Sequence, residues 1–220
     1  VAKIEGTRVW RSDTSEQVGQ TMKQPKFILS AMLIFAAIMV GQVIAQSSQK
    51  VDRDVAVKQV KAEFLHAWNG YKQYAWNHDD LKPVSKTYRD WYGTTLLMTP
   101  VDSLDSLYLL GFKDEADKTR KYITDNLSFD KDIYVQNFEI TIRILGGLLS
   151  SYQMTKDKKL LALADDLGTR LLPVFDSPTG LPYRYVNLKT GKVKGEVSNP
   201  AETGTLLIEF GTLPKLTKKP

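Results

Sequence analysis

The sequence predicts an all-α fold built from consecutive helical hairpins. Apolar residues recur at intervals of three and four through most of the chain, short turns separate these stretches, and alternating apolar and polar residues are scarce. The 220 residues are 42% hydrophobic and 25% charged, which is enough for one compact domain and excludes a disordered chain. No repeat of fixed period is visible, so a solenoid is not predicted.

Spacing and end signals predict the first three helices. Residues 54–76 place a set of apolar side chains on one helical face: Val57, Val60, Phe64, Trp68, Tyr71 and Ala75. Thr99 and Pro100 are typical of an N-cap and a first turn, and Gly111 is typical of a helix end, so a second helix is predicted between them. Residues 113–126 form the third helix, which would turn three residues inward: Ala116, Tyr122 and Ile123.

Three more helices are predicted in the second half of the chain. Residues 133–154 and 157–172 have helical periodicity, and the first of these would bury one apolar stripe: Phe138, Ile142, Leu145, Leu149 and Tyr152. We interpret the turn-rich residues 183–188 and 192–197 as a β-hairpin or a long loop. Asn199 then opens a sixth helix, whose apolar residues are Leu206, Leu207 and Phe210.

The N-terminal region has the pattern of a targeting segment. Residues 1–21 precede the first methionine and lack periodicity, so they are predicted to be non-native or translated from upstream sequence. Residues 22–45 have a basic start, an apolar centre and a small-residue end, which predicts a cleaved signal peptide and a secreted or periplasmic product. The alternative is a type II membrane protein anchored through residues 27–45, a length close to the ~20 residues that span a bilayer. Residues 46–220 are the predicted folded part.

Composition excludes several classes of function. The net charge is +5, and outside residues 1–45 the chain carries 25 basic against 22 acidic side chains, which is a mixed surface and not a nucleic-acid footprint. The absence of cysteine excludes a disulfide scaffold and a thiol nucleophile. Because His66 and His78 are the only histidines, a site built from several histidines is not predicted.

The helix over residues 133–154 carries a polar stripe beside its apolar one. Glu139 and Arg143 are four residues apart and can pair on one face. Gly146 and Gly147 each cost ~1 kcal/mol in a helix relative to alanine, which suggests close approach by another backbone or a ligand. Two interpretations stay open for Glu139: a carboxylate that faces a lined cavity, or a structural ion pair.

Further acids occur among apolar residues. Asp102 lies three residues after the predicted N-cap of the second helix, and it is either a capping-box acid or a site residue. Asp105 is in mid-helix between leucines, where a carboxylate needs a partner or a polar cavity. Glu202 holds the same capping position after Asn199, and Glu209 is one more candidate acid.

Aromatic residues are concentrated in residues 66–92: Trp68, Tyr71, Tyr74, Trp76, Trp91 and Tyr92. Such rings either fill a core or stack against sugars. Phosphate-binding, dinucleotide-binding and serine-hydrolase motifs are absent. Acids on separate helices, aromatic rings and a secretory leader together favour carbohydrate chemistry, since hydrolysis of a glycosidic bond needs two carboxyl groups.

Five separated segments carry a resemblance to a known family. They are residues 66–85, 101–108, 138–152, 181–187 and 201–210. In this order, over about residues 58–217, they resemble glycoside hydrolase family 47, the class I α-1,2-mannosidases.

The resemblance implies a fold and a reaction. The fold is a barrel of seven concentric α-hairpins, of which this chain would hold about half, with one β-hairpin or loop insertion. The reaction is the inverting, calcium-dependent hydrolysis of terminal α-1,2-linked mannose from high-mannose N-glycans or related oligosaccharides. The expected partner is a mannose-containing glycan, and the expected state is a monomer in the secretory pathway.

The resemblance also assigns residues. The motif around Glu139 implies that this side chain is the proton-donating catalytic acid. Six others would bind the substrate: Arg143, Asp102, Asp105, Glu202, His78 and Asp79.

This sequence departs from the family pattern in its length. Family members are about twice as long, and their catalytic base and the threonine that holds calcium lie in the half that is missing here. No calcium ligand is therefore expected in this chain, and residues 46–220 alone are expected to be inactive and to fold poorly. A non-catalytic glycan-binding relative and a truncated inactive product are the alternatives.

Overall fold

A computed structural model describes residues 52–219 together with Met32 and Phe35. The chain divides into two compact units, residues 1–53 and residues 54–220. In the first unit Met32 and Phe35 are helical and exposed. The predicted upstream segment, signal peptide and anchor otherwise lie outside the described residues. Among the residues that are described, no helix is both long enough and apolar enough to cross a membrane.

Helices dominate the second unit, as the periodicity predicts. Within residues 52–219 the α-helices are α1 (Arg53–Tyr74), α2 (Met98–Leu109), α3 (Lys113–Asn126), α4 (Asn137–Ile140), α5 (Gly146–Thr155), α6 (Lys158–Leu171), α7 (Pro200–Gly204) and α8 (Leu207–Thr217). Helix α2 packs against α3 and α5, α5 packs against α6, and α6 packs against α8. The helices therefore form a layer in which α5 lies between α2 and α6.

Residues 137–155 form one continuous helical run, which we call the central helix. It consists of α4, a π-helical turn over Thr141–Leu145, and α5. A π-helical turn widens the backbone hydrogen-bond pattern locally, and such turns are frequent at functional sites. Glu139 lies just before this turn and Arg143 lies within it, so the turn is a candidate part of a functional site.

Two small antiparallel sheets accompany the helices. Strand β1 (Asp80–Lys82) pairs with β2 (Thr87–Arg89), a hairpin that the sequence did not predict. Strands β4 (Tyr185–Asn187) and β5 (Val193–Lys194) form the predicted hairpin. The fourth helix was predicted to start near residue 133, and this start was wrong. Residues Tyr134–Gln136 form strand β3, which pairs with β4, because main-chain pairing in the sheet overrides the helical pattern there.

The core confirms the predicted inward faces only in part. Trp68, Tyr71 and Ala75 of the first predicted helix are buried, but its earlier Val57 and Val60 are 45% and 57% exposed. In the central helix two of the five predicted inward residues, Leu145 and Leu149, are buried. The fully buried apolar residues there are Ile140, Ile144, Leu145 and Leu148, with Leu149 nearly so, whereas Phe138, Ile142 and Tyr152 are half-buried. In the last helix Leu206 is buried and Leu207 is exposed.

Of the two predicted N-caps, one is confirmed and the other is wrong. Asn199 caps α7, since its side chain accepts a hydrogen bond from the backbone N–H of Glu202 at 2.9 Å. Thr99 does not cap α2. That helix begins two residues earlier than predicted, at Met98, after Leu97, whose backbone is left-handed with φ 53°. Asp102 is therefore not a capping-box acid, and its carboxylate is available for other contacts.

The glycine pair of the central helix marks a close crossing, as predicted. A Cβ placed on Gly147 would lie 2.8 Å from the carbonyl oxygen of Val101 and 2.9 Å from its Cγ1. A Cβ atom essentially never approaches a non-bonded atom this closely, so only glycine permits this crossing of α2 and the central helix. A Cβ on Gly146 would instead meet the carboxylate of Glu209 at 3.4 Å.

Gly147→Ala is expected to lower the free energy of unfolding by about 1–3 kcal/mol, because the methyl group would force the two helices apart. Gly211→Ala is the matched control. That glycine lies in α8 with nothing within 4 Å of an added Cβ, so alanine should raise the stability by about 0.5–1 kcal/mol. Urea denaturation followed by circular dichroism measures both values. Equal effects of the two substitutions would contradict the close crossing.

Candidate active site

Arg143 joins two carboxylates from two helices. Its Nε donates a hydrogen bond to Oε2 of Glu139 at 2.8 Å, and its Nη1 donates to Oδ2 of Asp102 at 3.3 Å. The side chains of Glu139, Arg143 and Asp102 are 22%, 36% and 41% exposed, so the cluster is open to a polar ligand. The i,i+4 pair of Glu139 and Arg143 predicted from spacing is confirmed, and Asp102 of α2 is the second carboxylate that Arg143 binds.

A second contact repeats the arrangement one helical turn further along. Oδ2 of Asp105 accepts a hydrogen bond from the hydroxyl of Ser150 at 2.8 Å, and Oδ1 accepts one from the hydroxyl of Ser106 at 3.2 Å. The predicted partner of this mid-helix acid is thus present. Asp102 and Asp105 both face the central helix, because Val101 lies against Gly147.

Asp79 organises the segment between β2 and α2. It is fully buried, and its Oδ1 accepts hydrogen bonds from the backbone N–H groups of Leu96 at 2.7 Å and Met98 at 3.3 Å. Its Oδ1 also accepts from the hydroxyl of Thr95 at 3.2 Å, and its Oδ2 accepts from the backbone N–H of Trp91 at 3.0 Å. A buried carboxylate of this kind is stabilised by its several donors, and it fixes the start of α2. This geometry favours a structural role for Asp79 over a contact with substrate.

Aromatic rings line the approach to the cluster. The guanidinium carbon of Arg143 lies 5.1 Å from the centroid of the Trp91 ring. The hydroxyl of Tyr92 accepts a hydrogen bond from the backbone N–H of Gln136, the residue that precedes the central helix. Burial raises the pKa of Tyr92 to about 12, and the negative charge of Glu139 adds to this effect. The Tyr92 hydroxyl therefore stays neutral close to the acid.

His78 is held within its own hairpin region. Its Nδ1 lies 3.0 Å from Oδ2 of Asp90, and its ring stacks on Tyr88 with the planes 8° from parallel. Its carbonyl oxygen accepts a hydrogen bond from the Tyr71 hydroxyl. No contact links His78 directly to Arg143 among the described hydrogen bonds and ion pairs, so its expected role at the sugar stays a prediction.

Glu202 is linked to the N-terminal end of the central helix. Its Oε1 accepts a hydrogen bond from Nη2 of Arg184 at 3.1 Å, and its side chain is 15% exposed. The carbonyl oxygen of Arg184 in turn accepts from the backbone N–H of Asn137, the first residue of the central helix. Glu202 is thereby tied to the helix start that carries Glu139.

Burial raises the pKa of two carboxyl groups in this region. Desolvation raises the pKa of Asp102 above its ordinary value, although the hydrogen bond and charge of Arg143 act in the opposite direction. Desolvation also raises the pKa of Glu209. Oε2 of Glu209 is buried and has no hydrogen-bond partner among the described residues. Glu209 is thus the uncompensated acid beside Gly146.

Two grooves lie away from the cluster. A groove of about 820 Å³ runs between α1 and the β1–β2 hairpin, and its lining includes Asn69, Gln73, Tyr74, Asp80 and Lys86. A smaller one of about 290 Å³ separates α6 from α8. Within residues 52–219 no group of three histidine, aspartate or glutamate side chains comes close enough to hold a metal ion.

The fold and the cluster together define a class of protein. Glycoside hydrolases use a pair of carboxyl groups, and the cluster brings carboxylates from two helices, Glu139 and Asp102, to one arginine. Residues 63–220 match the model of Glycosyl hydrolase family 47, and the chain belongs to that family.

Individual relatives agree with this assignment. The endoplasmic reticulum mannosyl-oligosaccharide 1,2-α-mannosidase of Rattus norvegicus is 46% identical over 164 residues, which cover 73% of this chain and 25% of the relative. A mannosyl-oligosaccharide 1,2-α-mannosidase of Arabidopsis thaliana is 41% identical over 169 residues, with 74% and 30% covered. The α-1,2-mannosidase from Trichoderma reesei has a similar structure, with a TM-score of 0.68, 30% identity, and 76% and 38% covered.

These comparisons confirm the resemblance and the predicted helical fold class. The chain spans about a quarter to a third of the length of the curated relatives it matches. The roles of the individual site residues stay predictions. Sequence reasoning missed how Asp79 and Trp91 support the cluster. The sequence analysis named Asp79 as a substrate-binding residue and Trp91 as one of several aromatic residues, and no local pattern indicated their contact with each other.

Glu209→Gln is expected to raise the free energy of unfolding at neutral pH and to leave it unchanged in acid. Burial raises the folded-state pKa of Glu209, so the stability linked to its protonated form is complete below the ordinary glutamate value of 4.5 and is lost as the pH rises through the folded-state pKa. Glutamine does not titrate and avoids this loss. Urea denaturation at about pH 7 and about pH 4 measures the difference.

The exposed Glu63→Gln is the control for this measurement and should have the same small effect at both pH values. A gain from Glu209→Gln that is equal at both pH values would show that the charge of Glu209 is not the cause.

Proposed function

We propose that this chain supplies the acid side of the active site of an inverting α-1,2-mannosidase. Its substrate would be the terminal α-1,2-linked mannose of high-mannose N-glycans or related oligosaccharides. The observation that supports this most directly is the cluster of Glu139, Arg143 and Asp102 in a chain that belongs to family 47. The names of the relatives, which are mannosyl-oligosaccharide 1,2-α-mannosidases, support the same substrate.

In the proposed reaction Glu139 donates a proton to the glycosidic oxygen, directly or through one water molecule. The bond between that oxygen and the anomeric carbon breaks, and a second water attacks the carbon from the opposite face. A carboxylate base outside residues 52–219 takes the proton of that water, so the products are free mannose of inverted configuration and the shortened glycan. Arg143 compensates the negative charge that Glu139 acquires when it gives up its proton.

The other predicted site residues receive different roles in this proposal. Asp102 and Glu202 accept hydrogen bonds from sugar hydroxyls, since both lie beside an arginine that orients them. Asp105 fixes Ser150 and so the face of the central helix. Asp79 acts through the loop that it folds, because no oxygen of its buried carboxylate faces solvent. We assign His78 to the rim of the site, where it would contact Arg143 or the acids only if bound substrate bridged them.

The proposal also includes a bound calcium ion and a location in the secretory pathway. Calcium is a hard cation that would bind sugar hydroxyls together with protein oxygens, and we place its protein ligands outside residues 52–219. The relatives from rat, mouse and human are named as endoplasmic reticulum enzymes. We therefore propose that this protein acts on glycans in the secretory pathway, as a monomer, with residues 22–45 as its leader or anchor.

Glu139→Gln is expected to lower the rate of mannose release by at least about 10²-fold, because glutamine cannot donate the proton. The assay uses the full-length chain, by which we mean these residues together with the segment that supplies the catalytic base, and an α-1,2-linked mannose oligosaccharide, with free mannose as the readout. Glu63→Gln changes an exposed glutamate in α1 and should retain the activity. Full activity of Glu139→Gln would overturn the assignment of the acid.

Removal of calcium is expected to abolish mannose release, because the metal would hold the sugar hydroxyls in place. EDTA treatment of the full-length chain should stop the reaction, and added Ca²⁺ should restore it while Mg²⁺ should not. Undiminished activity in a sample shown by elemental analysis to be free of metal would contradict the calcium proposal and leave the role of Glu139 intact.

A further inference from the structure

The position of Arg143 needs an explanation that its two ion pairs do not supply. Both partners are partly exposed, and the arginine side chain is itself 36% exposed. Ion pairs at such exposure are weak and permit several arrangements of a long side chain. A site that must place one guanidinium between Glu139 and Asp102 therefore requires a further restraint.

The indole of Trp91 lies where such a restraint would act. The guanidinium carbon of Arg143 is 5.1 Å from the centroid of the ring, within the range of a cation–π contact. In this position Nε and Nη1 of Arg143 still donate to the two carboxylates. The ring thus limits the arginine to positions that serve both hydrogen bonds.

Trp91 is itself fixed at two points by two acids. Its backbone N–H donates to Oδ2 of the buried Asp79 at 3.0 Å, and its indole Nε1 donates to Oδ2 of Asp80 at 2.7 Å. Asp80 also holds Arg89, whose guanidinium carbon lies 5.1 Å from the same ring. Main chain and side chain of Trp91 are both anchored, so the ring is a rigid support.

We propose that Trp91 is a positioning residue, whose ring, anchored by Asp79 and Asp80, holds Arg143 between Glu139 and Asp102. Trp91 acts through Arg143 and touches no reacting atom. Its catalytic consequence rests on the proposed function, whereas the placement of Arg143 does not. This assigns to Asp79, Asp80 and Trp91 a purpose in the site.

The first test measures catalysis in the full-length chain. Trp91→Leu removes the ring face and should lower kcat/KM about tenfold, mainly through kcat, while Trp76→Leu removes a tryptophan that packs on Tyr122 and should have less than about a twofold effect. In an Arg143→Ala background Trp91→Leu should cost less than about twofold, because the residue through which it acts is gone. An equal loss in both backgrounds, or no more loss than Trp76→Leu causes, overturns the proposal.

The second test does not depend on activity. Arg143 lowers the pKa of Asp102 against the effect of burial, so release of the arginine by Trp91→Leu should raise the pKa of Asp102. Carbon-13 NMR of labelled aspartate, assigned with Asp102→Asn, reads this value directly. A pKa of Asp102 that does not move, while Arg143→Ala does move it, contradicts the proposal even if the enzyme is active. A shift in an inactive protein supports the placement and refutes only the proposed function.

Trp91→Phe decides the question if Trp91→Leu does not fold. Phenylalanine keeps a ring but loses the indole N–H and binds cations less strongly. Its loss of kcat/KM should be about two- to threefold and should disappear in the Arg143→Ala background. A loss that is the same in both backgrounds, or no loss at all, overturns the proposal.

Discussion

The arrangement of this site depends on the close crossing of α2 and the central helix at Gly147. The backbone of Val101 occupies the space in which any side chain at position 147 would lie. At this separation Asp102 reaches Arg143 and, one turn further, Asp105 reaches Ser150. The close approach of Val101 to Gly147 accounts for both contacts. Asp102 and Asp105 lie near Val101 on α2, and Arg143 and Ser150 lie on either side of Gly147. A wider crossing would leave the two carboxylates beyond hydrogen-bond distance.

The carboxylates around the crossing differ in how deeply they are buried and in how many hydrogen bonds they accept. Asp79 is fully buried, and its carboxylate is satisfied by backbone and hydroxyl donors. Glu139 and Asp102 are partly exposed and share one arginine. Glu209 has one oxygen buried without a partner among the described residues. An acid left uncompensated in this way costs stability, and such costs concentrate where a protein binds its ligand.

Local signals in the sequence predicted much of this and missed the rest for identifiable reasons. Glycines 146 and 147 predicted a close approach, and the spacing of Glu139 and Arg143 predicted their pair. Strand β3 was missed because its partner β4 lies about 50 residues away along the chain. Thr99 has the residue types of an N-cap, but its hydroxyl donates to the carbonyl of Asp79 instead. The inward stripe of the central helix was predicted correctly at Leu145 and Leu149 and not at Phe138, Ile142 and Tyr152. This helix is apolar on several sides, so periodicity alone could not identify the buried side.

The most direct test of the account is a crystal structure of the full-length chain with a sulfur-linked, non-hydrolysable α-1,2-mannose disaccharide. The account predicts that the terminal sugar lies against Arg143 and Asp102, with a carboxyl oxygen of Glu139 within hydrogen-bond distance of the linking sulfur or of a water that contacts it. A disaccharide bound in the groove between α1 and the β1–β2 hairpin, with the Arg143 cluster unchanged and unoccupied, would contradict it.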